Sequence, residues 1–261
     1  MQKKIGLALS GGGARGFAHV GVLRALVEHE IPIDMIAGTS AGSFVGGAYA
    51  AGLSIDEIVE IGKKISWFGV AGFSYSPKGF LSNAAMGGFI DKSFPVNRFE
   101  DLRIPFAAVA CDLETGEEVV LKDTGSLTDA IRASCAIPGV FVPVPENGRQ
   151  LVDGGVVSPI PTRAVRKMGA DVIIAVDLIT CGSSYGGTPS TLIGTFFQSA
   201  MIMLRTTSRH QHYRADVIIE PAISHIRPDE IAKREELAEL GYKSVTEKID
   251  DIRAALESKK P

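Results

Sequence analysis

The chain has 261 residues, of which 45% are hydrophobic and 22% are charged. This length and composition fit a folded α/β protein with a substantial core and exclude a disordered chain. The formal net charge is −3. The sequence therefore lacks the excess of basic residues typical of nucleic-acid-binding proteins, and no nucleic-acid partner is expected. No linker-like segment or repeat divides the sequence, which predicts a single domain over residues 1–261.

The first forty residues have the pattern of a β-α-β unit. Residues 4–9 form an apolar run that predicts a buried strand, and a glycine-rich turn follows at residues 10–16. Apolar residues then recur at helical spacing as far as Val27, and residues 33–37 predict a second strand. Such units build parallel sheets. The turns that follow the two strands should therefore lie at the same edge of the sheet.

The second predicted strand ends in the sequence G-T-S-A-G at residues 38–42. This is the pattern of a nucleophile elbow, in which a strand turns sharply into a helix and the central serine is exposed. Ser40 is therefore the candidate nucleophile of an acyl-transfer enzyme. The pattern is short and also fits ordinary glycine-rich turns, so the interpretation depends on what the rest of the chain supplies.

The uncharged stretch at residues 35–55 also raises the alternative of a transmembrane helix. Its five glycines and its hydroxyl residues make it a poor membrane-spanning segment. A strand, an elbow and a buried helix explain it better. Ser54 and Glu57 then have the spacing of a capping box, which predicts a helix to about Ile65.

The segment from Trp67 to Pro95 loses regular periodicity and is rich in glycine and aromatic residues. Two interpretations stay open: a cover over an apolar pocket, whose aromatic residues would shape an acyl site, or a loop packed against the core. Phe80 and Phe89 are the residues whose replacement would distinguish them.

The remaining elements complete an α/β pattern. Two strands are predicted on either side of a hairpin turn about Thr115 and Gly116, and a later short strand leads to Asp153. The expected strands are residues 105–111, 118–121, 150–152, 171–178 and 216–220, and the expected helices are residues 127–136, 161–168 and 192–213 with one or two more from residue 229. Residues 181–189 predict a glycine- and serine-rich loop.

The glycine-rich turn matches G-x-G-x-x-G through Gly11, Gly13 and Gly16, which makes dinucleotide binding an alternative. That fingerprint expects an acidic residue at the end of the second strand, where this chain has the elbow instead. A row of glycine N–H groups before a helix suits an oxyanion better. Gly12 and Gly13 are the first choices as donors, with Gly11 permitting the turn.

Arg15 follows these glycines, and three roles stay open for it: contact with an anionic head group of the substrate, bracing of the loop, or a solvated side chain. His19, on the first helix, is expected to pack near the glycine loop rather than to act as a base.

A nucleophilic serine needs a base, and two kinds are available. A Ser-Asp-His order would use His210, His212 or His225, but the first two lie among arginines on a predicted surface helix and the third has no catalytic neighbour. Asp153 ends a short strand and precedes two glycines, so its carboxylate could meet Ser40 at the sheet edge. A turn-forming Asp is its alternative role.

The cysteines predict a reducing environment. Cys111, Cys135 and Cys181 are odd in number and widely spaced, which argues against disulfides and against a thiolate metal site. The N-terminus lacks the pattern of a signal peptide. Together these features predict a cytoplasmic location, with free thiols.

Four motifs in order give the chain a resemblance to a known family. They are L-S-G-G-G-A-R-G-F-A-H-V-G-V-L at residues 9–23, G-T-S-A-G at 38–42, A-S-C-A-I-P-G-V-F-V-P at 133–143 and D-G-G at 153–155. Over roughly residues 5–180 the sequence resembles the patatin-like phospholipase family, most closely its small bacterial members and the catalytic domain of the neuropathy-target-esterase branch. Residues 190–261 form the C-terminal helical part.

The resemblance implies a three-layer α/β/α fold with a mostly parallel central sheet, and a serine-aspartate dyad that hydrolyses acyl esters of lipids. Ser40 matches the nucleophile, Asp153 the base, and Gly11, Gly12 and Gly13 the oxyanion loop. No cofactor and no metal are implied. The expected partners are a lipid or small ester substrate and, transiently, a membrane surface.

Two departures from the family pattern leave the substrate preference open. Ser10 replaces the Asp common in plant members, and Ser158 replaces the Asn that many members have after D-G-G. A catalytically silent module that binds a lipid or a partner protein is the alternative function, and the intact Ser40 and Asp153 argue against it.

Overall fold

The computed structural model describes residues 3–65, 72–73, 78–179 and 189–258. The strands in chain order are β1 Ile5–Leu9, β2 Met35–Thr39, β3 Gly72–Phe73, β4 Gly79–Ser82, β5 Phe106–Asp112, β6 Glu118–Lys122, β7 Gly139–Phe141, β8 Val144–Glu146, β9 Arg149–Asp153, β10 Val172–Val176 and β11 Val217–Ile219. The α-helices are α1 Phe17–Glu28, α2 Ala41–Ala50, α3 Ile55–Lys64, α4 Ala84–Ser93, α5 Leu127–Ser134, α6 Thr162–Lys167, α7 Leu192–His212, α8 Arg234–Thr246 and α9 Ile249–Glu257.

The central sheet is mostly parallel, as predicted. Within the described residues it has eight strands, in the order β11-β10-β1-β2-β5-β9-β8, with β6 also paired to β5. Neighbouring strands are parallel from β11 to β5, and β6, β9 and β8 are antiparallel additions. Because β1 and β2 are parallel neighbours, the glycine-rich turn and the elbow do lie at one edge of the sheet.

Helices cover both faces of the sheet, which gives the expected three-layer α/β/α fold. Alternate residues of β1 show the two faces. Leu7 and Leu9 belong to the core cluster formed with α1, α2 and α3, whereas Ala8 belongs to a second cluster that includes Val165 of α6. The parallel strands β1, β2 and β10 are buried along their whole length, as expected when helices cover both sides.

Local signals account for the start of α3. Ser54 accepts a hydrogen bond from the Glu57 N–H, and the Glu57 side chain accepts one from the Ser54 N–H, so the predicted capping box is present. The preceding turn contains Gly52 with a φ of 99°, a conformation that glycine adopts at little cost.

The expectation that regular structure is lost over residues 67–95 was wrong for part of the segment. Residues 79–82 form β4 and residues 84–93 form α4. Trp67, with the rest of residues 66–71 and 74–77, lies outside the described residues. The same holds for Cys181 and for nearly all of the loop predicted at residues 181–189.

The C-terminal helices pack against the N-terminal unit. At the contact between α1 and α8, a Cβ on Gly21 would lie 1.7 Å from the Ala238 carbonyl oxygen, and one on Gly241 would lie 2.0 Å from the Ala18 oxygen. The two backbones therefore touch. None of the helices in the described part of the chain is both long and apolar enough to cross a bilayer.

Candidate active site

Ser40 lies between β2 and α2 in a backbone conformation that few residues adopt. Its φ is 52° and its ψ is −122°, and such strain is concentrated at functional sites. Glycines permit the sharp turn around it: a Cβ on Gly38 would lie 2.3 Å from the Gly42 carbonyl oxygen, and one on Gly42 would lie 2.2 Å from the Leu9 oxygen. The predicted elbow is present, and Ser40 faces a cavity.

The pairing of the strands brings Asp153 to the end of β2, next to Ser40. Thr39, the last residue of β2, pairs with Val109 of β5, and Asp153, the last residue of β9, pairs with the adjacent Ala110. Strand β9 therefore approaches the end of β2 head-on along the same side of β5. Gly154 makes this approach possible, because a Cβ there would lie 2.2 Å from the Val109 carbonyl oxygen.

The Asp153 carboxylate is buried, and this changes its acidity. Burial raises the pKa of Asp153 from the ordinary 3.8 to about 6, while the neighbouring Ser40 hydroxyl and a hydrogen bond from the Gly155 N–H act to lower it. The Gly155 bond is 2.8 Å long and is made to Oδ1. A carboxyl group with this pKa is ionised at neutral pH, and it is a stronger base than an exposed aspartate.

The three glycines predicted for an oxyanion hole differ in their hydrogen bonding. The Gly11 N–H donates to the Pro159 carbonyl at 3.1 Å, so this amide is already used. Gly12 and Gly13 are partly exposed, and among the residues that the structure describes no backbone acceptor is recorded for their N–H groups. Gly13 has a φ of 59° and lines the same cavity as Ser40. Gly12 and Gly13 remain the candidate donors.

Arg15 and His19 support this loop from inside. Arg15 is 1% exposed, so the solvated alternative was wrong; its Nε donates to the Ile226 carbonyl at 2.7 Å and its Nη1 to the Leu178 carbonyl at 3.2 Å. These contacts match the loop-bracing alternative. His19 Nε2 lies 2.8 Å from the Ser10 carbonyl oxygen, and burial lowers the pKa of His19 to about 4. A neutral imidazole that donates to Ser10 follows.

Of the three histidines considered as a base, two contact carboxylates other than Asp153. His212 Nε2 lies 2.7 Å from Oδ2 of the buried Asp177, which raises the pKa of His212. His212 is therefore only partly exposed on the predicted surface helix, and its Nε2 contacts Asp177. His225 contacts Glu236 at 2.8 Å, and His210 is exposed.

The cavity beside Ser40 has a volume of about 140 Å³ and an almost wholly apolar lining. Helices α1, α2 and α3, together with the glycine-rich turn, supply most of its wall. Other contributions come from Met86 of α4, from Phe141 of β7 and from Cys135, whose pKa is raised by burial to about 12, so that its thiol stays protonated. Phe89 stacks on the lining residue Phe44, with ring centroids 6.4 Å apart, whereas Phe80 is 73% exposed.

Comparison with known proteins identifies the family. The model of the patatin-like phospholipase family matches residues 7–166, which is more than half of the chain. The chain belongs to this family.

Two curated relatives are similar in sequence to this patatin-like chain. An uncharacterised NTE family protein of Mycobacterium tuberculosis is 42% identical over 179 residues, which are 67% of this chain and 49% of the relative. A lysophospholipase NTE1 of Debaryomyces hansenii is 36% identical over 182 residues, 67% of this chain and 12% of that protein. The chain thus matches about half of the mycobacterial relative and a small part of the yeast one.

A solved structure shares the patatin-like fold. VipD from Legionella pneumophila has a TM-score of 0.56 at 14% identity, with coverage of 96% of this chain and 67% of the other. At this identity the similarity concerns the fold.

One site residue of the patatin-like chain was missed by the sequence reasoning. The Ser40 N–H donates to Oγ of Ser134 at 2.9 Å, and the Ser134 hydroxyl donates to the Val109 carbonyl at 2.6 Å. Ser134 thereby ties the elbow to the strand that pairs with Asp153. The motif at residues 133–143 marks this region, but a serine near the end of a helix gives no sign of which amide it will accept from.

Within the described residues, Asp177, His212 and Glu220 offer potential metal ligands within 4.8 Å of one another. The hydrogen bond between His212 and Asp177, together with one from Ser208 to the same carboxylate at 3.0 Å, already explains why Asp177 and His212 are close together.

Proposed function

We propose that this protein is a serine hydrolase that cleaves carboxylic esters of lipids with a Ser40-Asp153 dyad. The observation that carries the proposal is that the sheet register brings the strained Ser40 beside a buried carboxylate whose pKa is raised to about 6. Membership of the patatin-like phospholipase family supports a lipid substrate.

In the proposed reaction, Asp153 accepts the Ser40 proton as Oγ attacks the ester carbonyl carbon. The carbonyl oxygen becomes an oxyanion, which the Gly12 and Gly13 N–H groups stabilise. The carbon-oxygen bond to the alcohol then breaks, and the alcohol leaves with the proton held by Asp153. Water attacks the acyl-enzyme in the same way and releases the carboxylic acid and free Ser40.

The apolar cavity suits the acyl chain of such an ester. Its lining offers almost no polar partner, so it favours a hydrocarbon chain over a sugar or a peptide. The Debaryomyces relative is a lysophospholipase, which suggests phospholipids or lysophospholipids as the substrate class, with simpler esters as test compounds.

The dyad can be tested with a fluorophosphonate probe and p-nitrophenyl esters. We expect Ser40→Ala to abolish labelling and turnover, and Asp153→Asn to slow both strongly. Ser244→Ala is a matched control, because this buried serine lies on α8 and donates to the Gly241 carbonyl. Equal labelling and turnover in all four proteins would refute the dyad. An unlabelled, inactive wild type would favour the silent binding module.

The acyl cavity has a separate test. Met86→Trp should fill part of the cavity and lower kcat/KM for long-chain p-nitrophenyl esters while leaving the acetate ester unaffected. Phe80→Ala is the control from the same segment, because this exposed ring does not line the cavity. An unchanged chain-length preference in Met86→Trp would count against an acyl chain at this site.

A further inference from the structure

Helix α7 presents large apolar side chains to solvent. Leu192 is 88% exposed, Phe196 70%, Ile202 54% and Met203 64%. Leu192, Phe196 and Met203 are separated by four and seven residues, so they lie along one face of the helix. A surface helix normally has charged or polar side chains there. Large exposed apolar side chains grouped on one face indicate an interaction site.

The inner side of α7 is held at the catalytic edge of the sheet. Ser208 donates to Asp177 beyond β10, and Gln211 accepts from the Ile160 N–H at 2.6 Å. A Cβ on Gly155 would lie 3.2 Å from Leu204 Cδ1. The helix therefore packs on the turn that follows Asp153. Ahead of Ser208, none of the α7 side chains that the structure describes is buried, so the apolar face is not part of the core.

The charged side chains of α7 are all basic, and most of them lie near its C-terminal end. Residues 191–214 contain four basic or imidazole side chains in the last six positions and no Asp or Glu anywhere. Arg209, His210 and Arg214 are exposed, and Tyr213 beside them is 89% exposed. An apolar face followed by cationic and aromatic side chains is the composition of helices that lie in a membrane interface.

We propose that the outer face of α7 docks the protein onto a lipid surface that contains anionic head groups. The apolar residues would enter the boundary between head groups and acyl chains, and Arg209 and Arg214 would contact lipid phosphates. A second copy of the chain is a poorer occupant, because α7 has no acidic residue to pair with the basic end of another α7. The biological purpose rests on the proposed function: docking would bring Ser40 to an aggregated substrate.

The test measures vesicle binding by co-sedimentation of the full chain carrying Ser40→Ala, so that hydrolysis cannot alter the lipid. Vesicles of phosphatidylcholine alone and with 30% phosphatidylglycerol are compared at low and at 150 mM salt. Adding Phe196→Ser and Met203→Ser should weaken binding at least tenfold to anionic vesicles. Arg209→Gln with Arg214→Gln should remove the preference for anionic lipid and its salt dependence. Leu113→Ser, at another exposed apolar side chain, is the matched control.

Absence of vesicle binding in the parent protein, or equal weakening by Leu113→Ser, would overturn the proposal. So would a dimer, detected by sedimentation velocity, that the Phe196 and Met203 changes abolish while vesicle binding persists unchanged. Turnover of soluble p-nitrophenyl acetate by the enzyme with Ser40 intact distinguishes the two proposals. It should be unaffected by the α7 changes, and its absence in the wild type would refute the hydrolase while leaving docking measurable.

Discussion

Asp153 is a carboxylate in a site where solvent does little to stabilise its charge, and this sets the pH range in which it can act as a base. A base works in its unprotonated form, so activity should be lost as the pH falls through the raised pKa. We expect kcat/KM for a p-nitrophenyl ester to reach a plateau above pH 7 and to fall below an inflection at about 6.

The comparison variant for this profile is His225→Gln, which changes an exposed histidine paired with Glu236 and should leave the inflection in place. An inflection near 4, as for an exposed aspartate, would contradict the effect of burial. One that disappears with His225→Gln would assign the base to histidine.

Ser134 is expected to act as a positioning residue. In Ser134→Ala the Ser40 N–H loses its acceptor in a buried site, and an unsatisfied buried group costs about 1–3 kcal/mol. If the elbow relaxes to avoid that cost, kcat should fall about tenfold to a hundredfold, with KM nearly unchanged because the cavity is intact. Steady-state kinetics and the rate of fluorophosphonate labelling measure this effect. A loss confined to thermal stability would mean that Ser134 only supports the fold.

Candidate site residues could be predicted from the sequence where they lie in a short local motif. Ser40 and Asp153 each lie in a motif with glycines that serve close backbone approaches, and the structure brings the two together. Ser134 and the Gly11 to Pro159 bond could not be predicted, because each joins residues more than 90 positions apart in sequence. Arg15 was ambiguous for the same reason, since its acceptors lie beyond residue 177.

Glycines inside helices have different roles in different elements, and substitution should show this. A Cβ at Gly42 of α2 would lie 2.2 Å from the Leu9 carbonyl oxygen, whereas one at Gly88 of α4 would meet nothing within 4 Å. Gly42→Ala should push the elbow helix away from β1, with a cost of at least about 1–3 kcal/mol and a large loss of turnover. Gly88→Ala should stabilise the protein by about 0.5–1 kcal/mol.

Urea unfolding and ester turnover of the two variants check this contrast. Full activity in Gly42→Ala would mean that the elbow tolerates a wider spacing than its geometry indicates.

Helices were predicted correctly where the sequence contains a strong local signal and were missed where it does not. Helix α3 was predicted because Ser54 and Glu57 form a reciprocal cap. Helix α4 was missed because it contains adjacent glycines and because Asn83 at its start makes no side-chain capping bond. Its stability comes from packing instead, through the buried Ile90 and the contact of Phe89 with Phe44. Such tertiary support is invisible to a search for periodicity.

At the scale of the whole molecule, the fold extends beyond the family match at residues 7–166. Strands β10 and β11 complete the sheet, and α8 packs on α1, the helix that follows the glycine-rich loop. We therefore predict that the chain unfolds as one cooperative unit. Far-UV circular dichroism and ester turnover should be lost together with increasing urea.

Gly241→Ala probes the same coupling. A Cβ there would lie 2.0 Å from the Ala18 carbonyl oxygen, so α8 must move away from α1, and the midpoint of both transitions should fall together. Glu239→Ala, at an exposed position of α8, should leave the midpoint unchanged. If the C-terminal helices formed an independent unit, Gly241→Ala would split the dichroism into two transitions and turnover would survive the first. The backbone contact between α1 and α8 is the reason for this expectation, because displacing α8 would expose the helix whose start shapes the candidate oxyanion loop.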